Sequence, residues 1–97
     1  ILKLKLFSNN LSLEDINGDL LIVSQFTLFA SIKKGTKPSW FRAAKPELAK
    51  KLYDQFVDIL KLSTNQSIQT GVFGADMTIE SVNNGPVTLI VDTKNKE

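Results

Sequence analysis

Three polar side chains interrupt an apolar run near residue 25, where the sequence reads Ser24, Gln25, Phe26, Thr27. Hydroxyl and amide groups in apolar surroundings need hydrogen-bonding partners, because burying them without partners costs free energy. They therefore either pair with neighbouring backbone or face a ligand, and the pattern leaves both interpretations open. If they face a ligand, this segment is the first candidate for a site.

The chain contains no cysteine and no histidine. Disulfides, cysteine nucleophiles, metal sites built on thiolate or imidazole, and any scheme with an imidazole base are excluded. Chemistry must come from hydroxyls, carboxylates, lysines, backbone groups or the substrate itself. We expect neither a metal nor another cofactor.

A second candidate segment is the run Asn83 to Thr88, in which an Asn-Gly pair is followed by Pro86. Asn-Gly is a strong hairpin signal, but a proline cannot donate to the ladder of a returning strand. A cis bond between Gly85 and Pro86 would turn the chain sharply and aim two carbonyl oxygens in similar directions. An ordinary trans proline in a wide loop is the alternative, and base rates favour it.

Hydrophobic periodicity predicts the elements that must position these segments. Alternating or continuous apolar residues predict four strands, over residues 1–7, 18–32, 72–83 and 87–93. Apolar residues at helical spacing, with Pro46 in the first turn, predict a helix over residues 45–62. This order indicates a single α+β domain, residues 1–97, with a largely antiparallel sheet. A chain of this size is near the limit at which a partner subunit completes the core, so we expect an oligomer.

Positive charge is concentrated in one part of the chain. Residues 33–51 carry a local balance of +6, whereas the whole chain carries +2. Trp40 and Phe41 accompany these cations, a composition typical of surfaces that meet a nucleic-acid backbone. A solvated loop and helix face would show the same charge pattern. No apolar run approaches membrane-spanning length and no signal peptide is evident, so we expect a cytoplasmic protein with no membrane partner.

Four collinear motifs resemble the D-aminoacyl-tRNA deacylase family. They are "VSQFTL" from Val23, "KKGTKPSW" from Lys33, "TGVFGADM" from Thr70 and "NNGPVT" from Asn83. The resemblance implies a mainly antiparallel, barrel-like sheet with one long amphipathic helix, in a homodimer with active sites at the subunit interface. It implies an enzyme that hydrolyses the ester of D-aminoacyl-tRNA, with glycyl-tRNA as a further candidate substrate. Family members begin with a segment upstream of "LKLF", so we expect the chain to lack that segment.

The resemblance also implies roles for individual residues. Ser24, Gln25, Phe26 and Thr27 match a motif that lines the pocket around the scissile ester. Gly85 and Pro86 match a Gly-cis-Pro element that reaches across the dimer and selects the D-enantiomer. Four residues match the pocket for the terminal adenosine: Ala49, Phe73, Gly74 and Met77. From charge alone, we add four candidate contacts to the tRNA backbone: Lys33, Lys34, Lys37 and Arg42.

Two mechanisms remain open for such a site: Thr27 as a nucleophile, or the terminal ribose 2′-hydroxyl assisting attack by water. Thr27 has no histidine to activate it and no carboxylate or lysine within its motif, so we favour the RNA-assisted route. Backbone N–H groups near Phe26 and Thr27 would then stabilise the developing oxyanion. The alternative functions are a non-catalytic RNA-binding module of the same fold and a small oligomerisation domain.

Overall fold

The computed structural model describes residues 1–96. Its regular elements are one α-helix and two short strands: β1 is Leu20–Ile22, α1 is Pro46–Ser63 and β2 is Ile68–Thr70. Two short 3-10 segments, Ser8–Asn10 and Phe26–Phe29, lie between the N-terminus and the helix. The long helix predicted from the sequence is confirmed.

The ends of α1 follow from its sequence. Pro46 occupies the first turn, where its missing N–H costs no helical hydrogen bond, and Glu47 lies beside it at the positive end of the helix dipole. Lys61 lies in the last turn, at the negative end. The helix ends at Ser63, and the backbone of the next residue, Thr64, is extended. Val57 and Leu60 are the buried residues of the helix and face the small core.

The sheet is parallel and has two strands in the part of the chain described. Leu20 pairs with Ile68, and the register continues to Ile22 opposite Thr70. Two further backbone hydrogen bonds flank the ladder, from Leu20 N–H to the Ser67 carbonyl at 3.0 Å and from Gly71 N–H to the Ile22 carbonyl at 2.9 Å. Parallel strands need a long crossover, and here that crossover contains α1.

The prediction of a mainly antiparallel, barrel-like sheet is wrong for this structure. Residues 1–7, 72–83 and 87–93 form no strand, and the strand predicted over residues 18–32 stops at Ile22. Alternation favours an extended chain, but an extended segment becomes a strand only where a neighbouring edge supplies hydrogen bonds. Within residues 1–96, β1 and β2 supply such edges to each other, and the other candidates form isolated bridges at most.

Much apolar surface stays exposed. Val57 and Leu60 are buried, with exposed fractions of 7% and 6%, whereas the helix residues Leu48, Leu52 and Ile59 each expose more than half of their surface. Exposed apolar surface of this extent is typical of a chain that packs against further protein. The described part of the chain contains no helix that is long and apolar enough to cross a membrane.

Candidate functional site

A cavity of about 820 Å³ lies between the segment that follows β1, the start of α1 and the loop that follows β2. Seven of the residues predicted for the site line it: Ser24, Gln25, Phe26, Ala49, Phe73, Gly74 and Met77. These residues lie far apart in the sequence, and the parallel pairing of β1 with β2 brings the segments that follow both strands to the same edge. The structure therefore brings these seven predicted residues into one concave surface.

The polar segment leaves the sheet before it reaches the cavity. Gln25 has φ −154° and ψ 88°, and a single 3-10 turn follows from Phe26 to Phe29. The alternating strand predicted here is thus replaced by a turn, so Ser24, Phe26 and Leu28 do not share one face of a strand. Ser24, Gln25 and Phe26 line the cavity, whereas Thr27 does not.

The Thr27 hydroxyl is already engaged within its own motif. Its Oγ1 donates a hydrogen bond to Gln25 Oε1 at 2.6 Å. A side-chain amide is not a base, so this contact orients the hydroxyl without activating it. The Thr27 carbonyl accepts a hydrogen bond from Trp40 Nε1 at 3.1 Å.

The loop that follows β2 supplies the apolar wall of the cavity. Gly74 has φ +75°, a conformation that favours glycine, and the turn is closed by a hydrogen bond from Ala75 N–H to the Val72 carbonyl at 3.1 Å. The Phe73 ring lies 5.6 Å from the Tyr53 ring at 48°. The Met77 sulfur lies so close to Gly71 that a Cβ atom on residue 71 would be 2.6 Å from the sulfur. An aromatic face, a thioether and small residues thus meet on one wall.

Among the cavity residues that the sequence did not predict for the site are two aromatic side chains, Trp40 and Tyr53. Tyr53 lies one helical turn after Ala49, and this i, i+4 spacing could have placed both on the same helix face. Trp40 was noted only as an aromatic residue among cations. No sequence signal shows that its indole reaches the polar segment, because that contact spans 13 positions of the chain.

Gly85 and Pro86 do not line the cavity of their own chain. Both are exposed, and Gly85 has φ +55°, a conformation that favours glycine. Residues 1–96 contain no cis peptide bond, so the Gly85–Pro86 bond is trans here. The Gly-cis-Pro geometry implied by the resemblance is therefore wrong for this structure.

A short loop carries three of the candidate cations. Ser31 and Ser39 exchange two backbone hydrogen bonds, at 2.7 and 2.9 Å, and close the segment between them. Lys33, Lys34 and Lys37 project from this basic loop and are exposed. Arg42 lies after the loop, with its guanidinium carbon 5.0 Å from the centroid of the Phe29 ring.

Within residues 1–96, the carboxyl group with a clearly shifted pKa is that of Asp15, which does not line the cavity. The Ser12 N–H donates to Asp15 Oδ2 at 2.8 Å, and the Asp15 N–H donates to Ser12 Oγ at 3.2 Å. The backbone hydrogen bond from Ser12 favours the charged carboxylate and lowers the pKa of Asp15 below its ordinary value of 3.8. In the described residues, no group of three acidic side chains could hold a metal ion.

Comparison with known proteins places this chain among aminoacyl-tRNA deacylases. The family model described as D-Tyr-tRNA(Tyr) deacylase matches residues 1–92, and the chain belongs to that family. A D-aminoacyl-tRNA deacylase of Cytophaga hutchinsonii is 53% identical over 102 aligned residues, covering 100% of this chain and 68% of the relative. A deacylase of the same name from Flavobacterium psychrophilum is 50% identical with the same coverage.

A third relative covers less of both chains. The D-aminoacyl-tRNA deacylase of Porphyromonas gingivalis is 51% identical over 88 residues, which are 91% of this chain and 59% of the relative. The family resemblance drawn from the four motifs is thereby confirmed.

Proposed function

We propose that this protein hydrolyses the ester bond between a D-amino acid and the terminal adenosine of tRNA, releasing the free D-amino acid and tRNA. The observation that carries this proposal is the single cavity that joins the polar segment Ser24 to Phe26 with Phe73 and Met77. Membership of the D-Tyr-tRNA(Tyr) deacylase family supports the same reaction. Removing D-amino acids from tRNA would keep them out of translation.

The adenosine end of the substrate fits the apolar wall. A volume of about 820 Å³ is within the ordinary range for small-ligand sites. Phe73 offers an aromatic face to the adenine, Met77 a polarisable thioether, and Ala49 and Gly74 leave room for the ring to approach. Adenine in this position would direct the esterified ribose towards the polar segment.

The ester end would meet Ser24, Gln25 and Phe26. Thr27 Oγ1 donates to Gln25 rather than to a base, which disfavours it as a nucleophile. The ribose 2′-hydroxyl would instead assist a water molecule, whose oxygen attacks the ester carbonyl. The bond from that carbon to the ribose oxygen then breaks, the ribose oxygen takes a proton, and the amino acid leaves as the carboxylate. Main-chain N–H groups near Phe26 and Thr27 would stabilise the oxyanion.

Selection of the D-enantiomer would come from a second copy of the chain. In this proposal the protein is a homodimer, and Gly85 and Pro86 of one copy enter the cavity of the other. Their main chain would lie against the α-carbon of the bound amino acid, so that an L-side chain meets the Gly-Pro backbone while a D-side chain points away. Glycine has no side chain to reject, so glycyl-tRNA would also be cleaved.

The basic loop would contact the tRNA backbone. Lys33, Lys34 and Lys37 are exposed on one closed loop, and Trp40 at its end contributes to the cavity. Cations placed beside the entrance would hold the acceptor stem while its 3′ end enters the site. Arg42 extends this charge from its position over Phe29.

Release of free tyrosine from D-tyrosyl-tRNA tests the function. We expect cleavage by the wild-type chain and a large loss in Ala49→Leu, which fills the cavity from α1. Lys61→Leu is the control, because it adds a leucine to the same helix outside this cavity. Tight, salt-sensitive tRNA binding without cleavage would contradict this proposal and indicate a non-catalytic RNA-binding module instead.

A further inference from the structure

We propose that Trp40 and Tyr53 are positioning residues that hold the two ends of the segment Val23 to Phe26 against the cavity. Each donates a side-chain hydrogen bond to a backbone carbonyl next to that segment, Tyr53 to Ile22 and Trp40 to Thr27. This inference rests on the proposed function, since it assigns these residues to the same site.

Tyr53 fixes the beginning of the segment. Its hydroxyl donates to the Ile22 carbonyl at 3.0 Å, and the same oxygen accepts the Gly71 N–H at 2.9 Å. Both lone pairs of this oxygen are therefore engaged, one by α1 and one by the chain leaving β2. Because the Tyr53 ring also lies 5.6 Å from Phe73, one side chain joins the polar segment to the adenosine wall.

Trp40 fixes the end of the segment. Its indole N–H donates to the Thr27 carbonyl at 3.1 Å, and its ring meets the Phe26 ring edge-on, at 5.9 Å and 70°. The backbone on both sides of the Trp40 side chain is also held by hydrogen bonds. The bridge between Ser31 and Ser39 precedes Trp40, and the Trp40 carbonyl accepts the Ala43 N–H at 3.0 Å.

The segment needs such support because the sheet does not provide it. The pairing of β1 with β2 ends at Ile22, and the next regular turn begins at Phe26. Between these points the backbone has no strand partner in the described structure. A catalytic segment must keep its groups within a fraction of an ångström of the productive geometry, and side-chain hydrogen bonds at both ends can do so.

Two substitutions remove the donors: Tyr53→Phe keeps the same ring, and Trp40→Phe keeps a smaller aromatic ring in place of the indole. We expect each to lower kcat for D-tyrosyl-tRNA about fivefold, the effect of one lost hydrogen bond, with KM changed less than about twofold. The larger changes Trp40→Leu and Tyr53→Leu remove the rings as well and should also raise KM. Phe56→Leu is the control, because Phe56 is exposed and outside the cavity. Unchanged kcat in both phenylalanine variants would overturn the proposal.

A second measurement needs no hydrolysis. Trp40 is the sole tryptophan, so the protein has a single indole N–H signal in its nuclear magnetic resonance spectrum. We expect that proton to exchange with solvent more slowly than in free indole, and the Thr27 carbonyl carbon to shift in Trp40→Phe. Exchange at the free rate and an unmoved Thr27 carbonyl would refute the positioning role. If wild type fails to cleave the ester while these signals behave as expected, the proposed function fails and the positioning contact stands.

Discussion

Thr27 Oγ1 lies 2.6 Å from Gln25 Oε1 and donates a hydrogen bond to that amide oxygen. Thr27 is the candidate nucleophile in one of the two mechanisms. Its hydroxyl is directed at the Gln25 amide, which cannot act as a base and remove the proton. The same hydrogen bond orients the Gln25 side chain, which lines the cavity. This contact is an argument for the RNA-assisted mechanism over Thr27 as a nucleophile.

Thr27→Ala should retain substantial hydrolysis. The substitution removes one hydrogen bond to Gln25, so we expect kcat to fall by less than about tenfold. Loss of a true nucleophile would cost several orders of magnitude. Single-turnover cleavage of D-tyrosyl-tRNA measures the change, and near-complete loss with tRNA binding intact would identify Thr27 as the nucleophile.

Gly71→Ala should weaken adenosine binding through Met77. A Cβ at Gly71 would lie 2.6 Å from the Met77 sulfur, so the thioether must leave its position on the cavity wall. We expect KM for D-aminoacyl-tRNA to rise severalfold with a smaller change in kcat. In a Met77→Ala background the same alanine should have little further effect. Equal losses in both backgrounds would show that Gly71 acts through the backbone instead.

Removing the basic loop's charge should weaken tRNA binding in a salt-dependent way. Replacing Lys33, Lys34 and Lys37 with glutamine should lower the slope of log K against log salt by about two to three. Binding of uncharged tRNA across a salt series measures this slope. A charge-matched control replaces three lysines elsewhere: Lys3, Lys94 and Lys96. An equal reduction of the slope in that control would assign the effect to net charge alone.

Asp15 should make stability depend on pH in the acid range. Its pKa is lowered in the folded chain, so its contribution is present above the ordinary value of 3.8 and is lost as the pH falls through the lower, folded value. Below pH 3.8, the free energy of unfolding should therefore decrease less steeply with falling pH in Asp15→Asn than in the wild type. Asp58→Asn, on the exposed face of α1, serves as the control. Parallel acid profiles for wild type and Asp15→Asn would contradict this role of the turn.

The sequence predicted the helix and seven of the residues that line the cavity, for identifiable reasons. Pro46 and the helical spacing that follows it are local signals, and α1 begins at that proline. The residues assigned to the site by family resemblance converge because β1 and β2 run parallel, although the sequence predicted a different sheet.

What the sequence could not predict depends on contacts between distant segments. Alternation at residues 72–83 indicates an extended chain but does not reveal whether an edge is present to pair with it. The hydrogen bonds from Trp40 and Tyr53 to backbone carbonyls leave no periodic signal, because a carbonyl acceptor is present at every position. The trans bond at Pro86 agrees with the general preference of proline and not with the family resemblance.

The most direct test compares kcat/KM for D-tyrosyl-tRNA and L-tyrosyl-tRNA under identical conditions. We expect cleavage of the D-ester, little or no cleavage of the L-ester, and loss of activity on the D-ester in Ala49→Leu but not in Lys61→Leu. Equal rates on both esters would contradict chiral selection. Cleavage of the D-ester that is unaffected by Ala49→Leu would contradict the assignment of the reaction to this cavity.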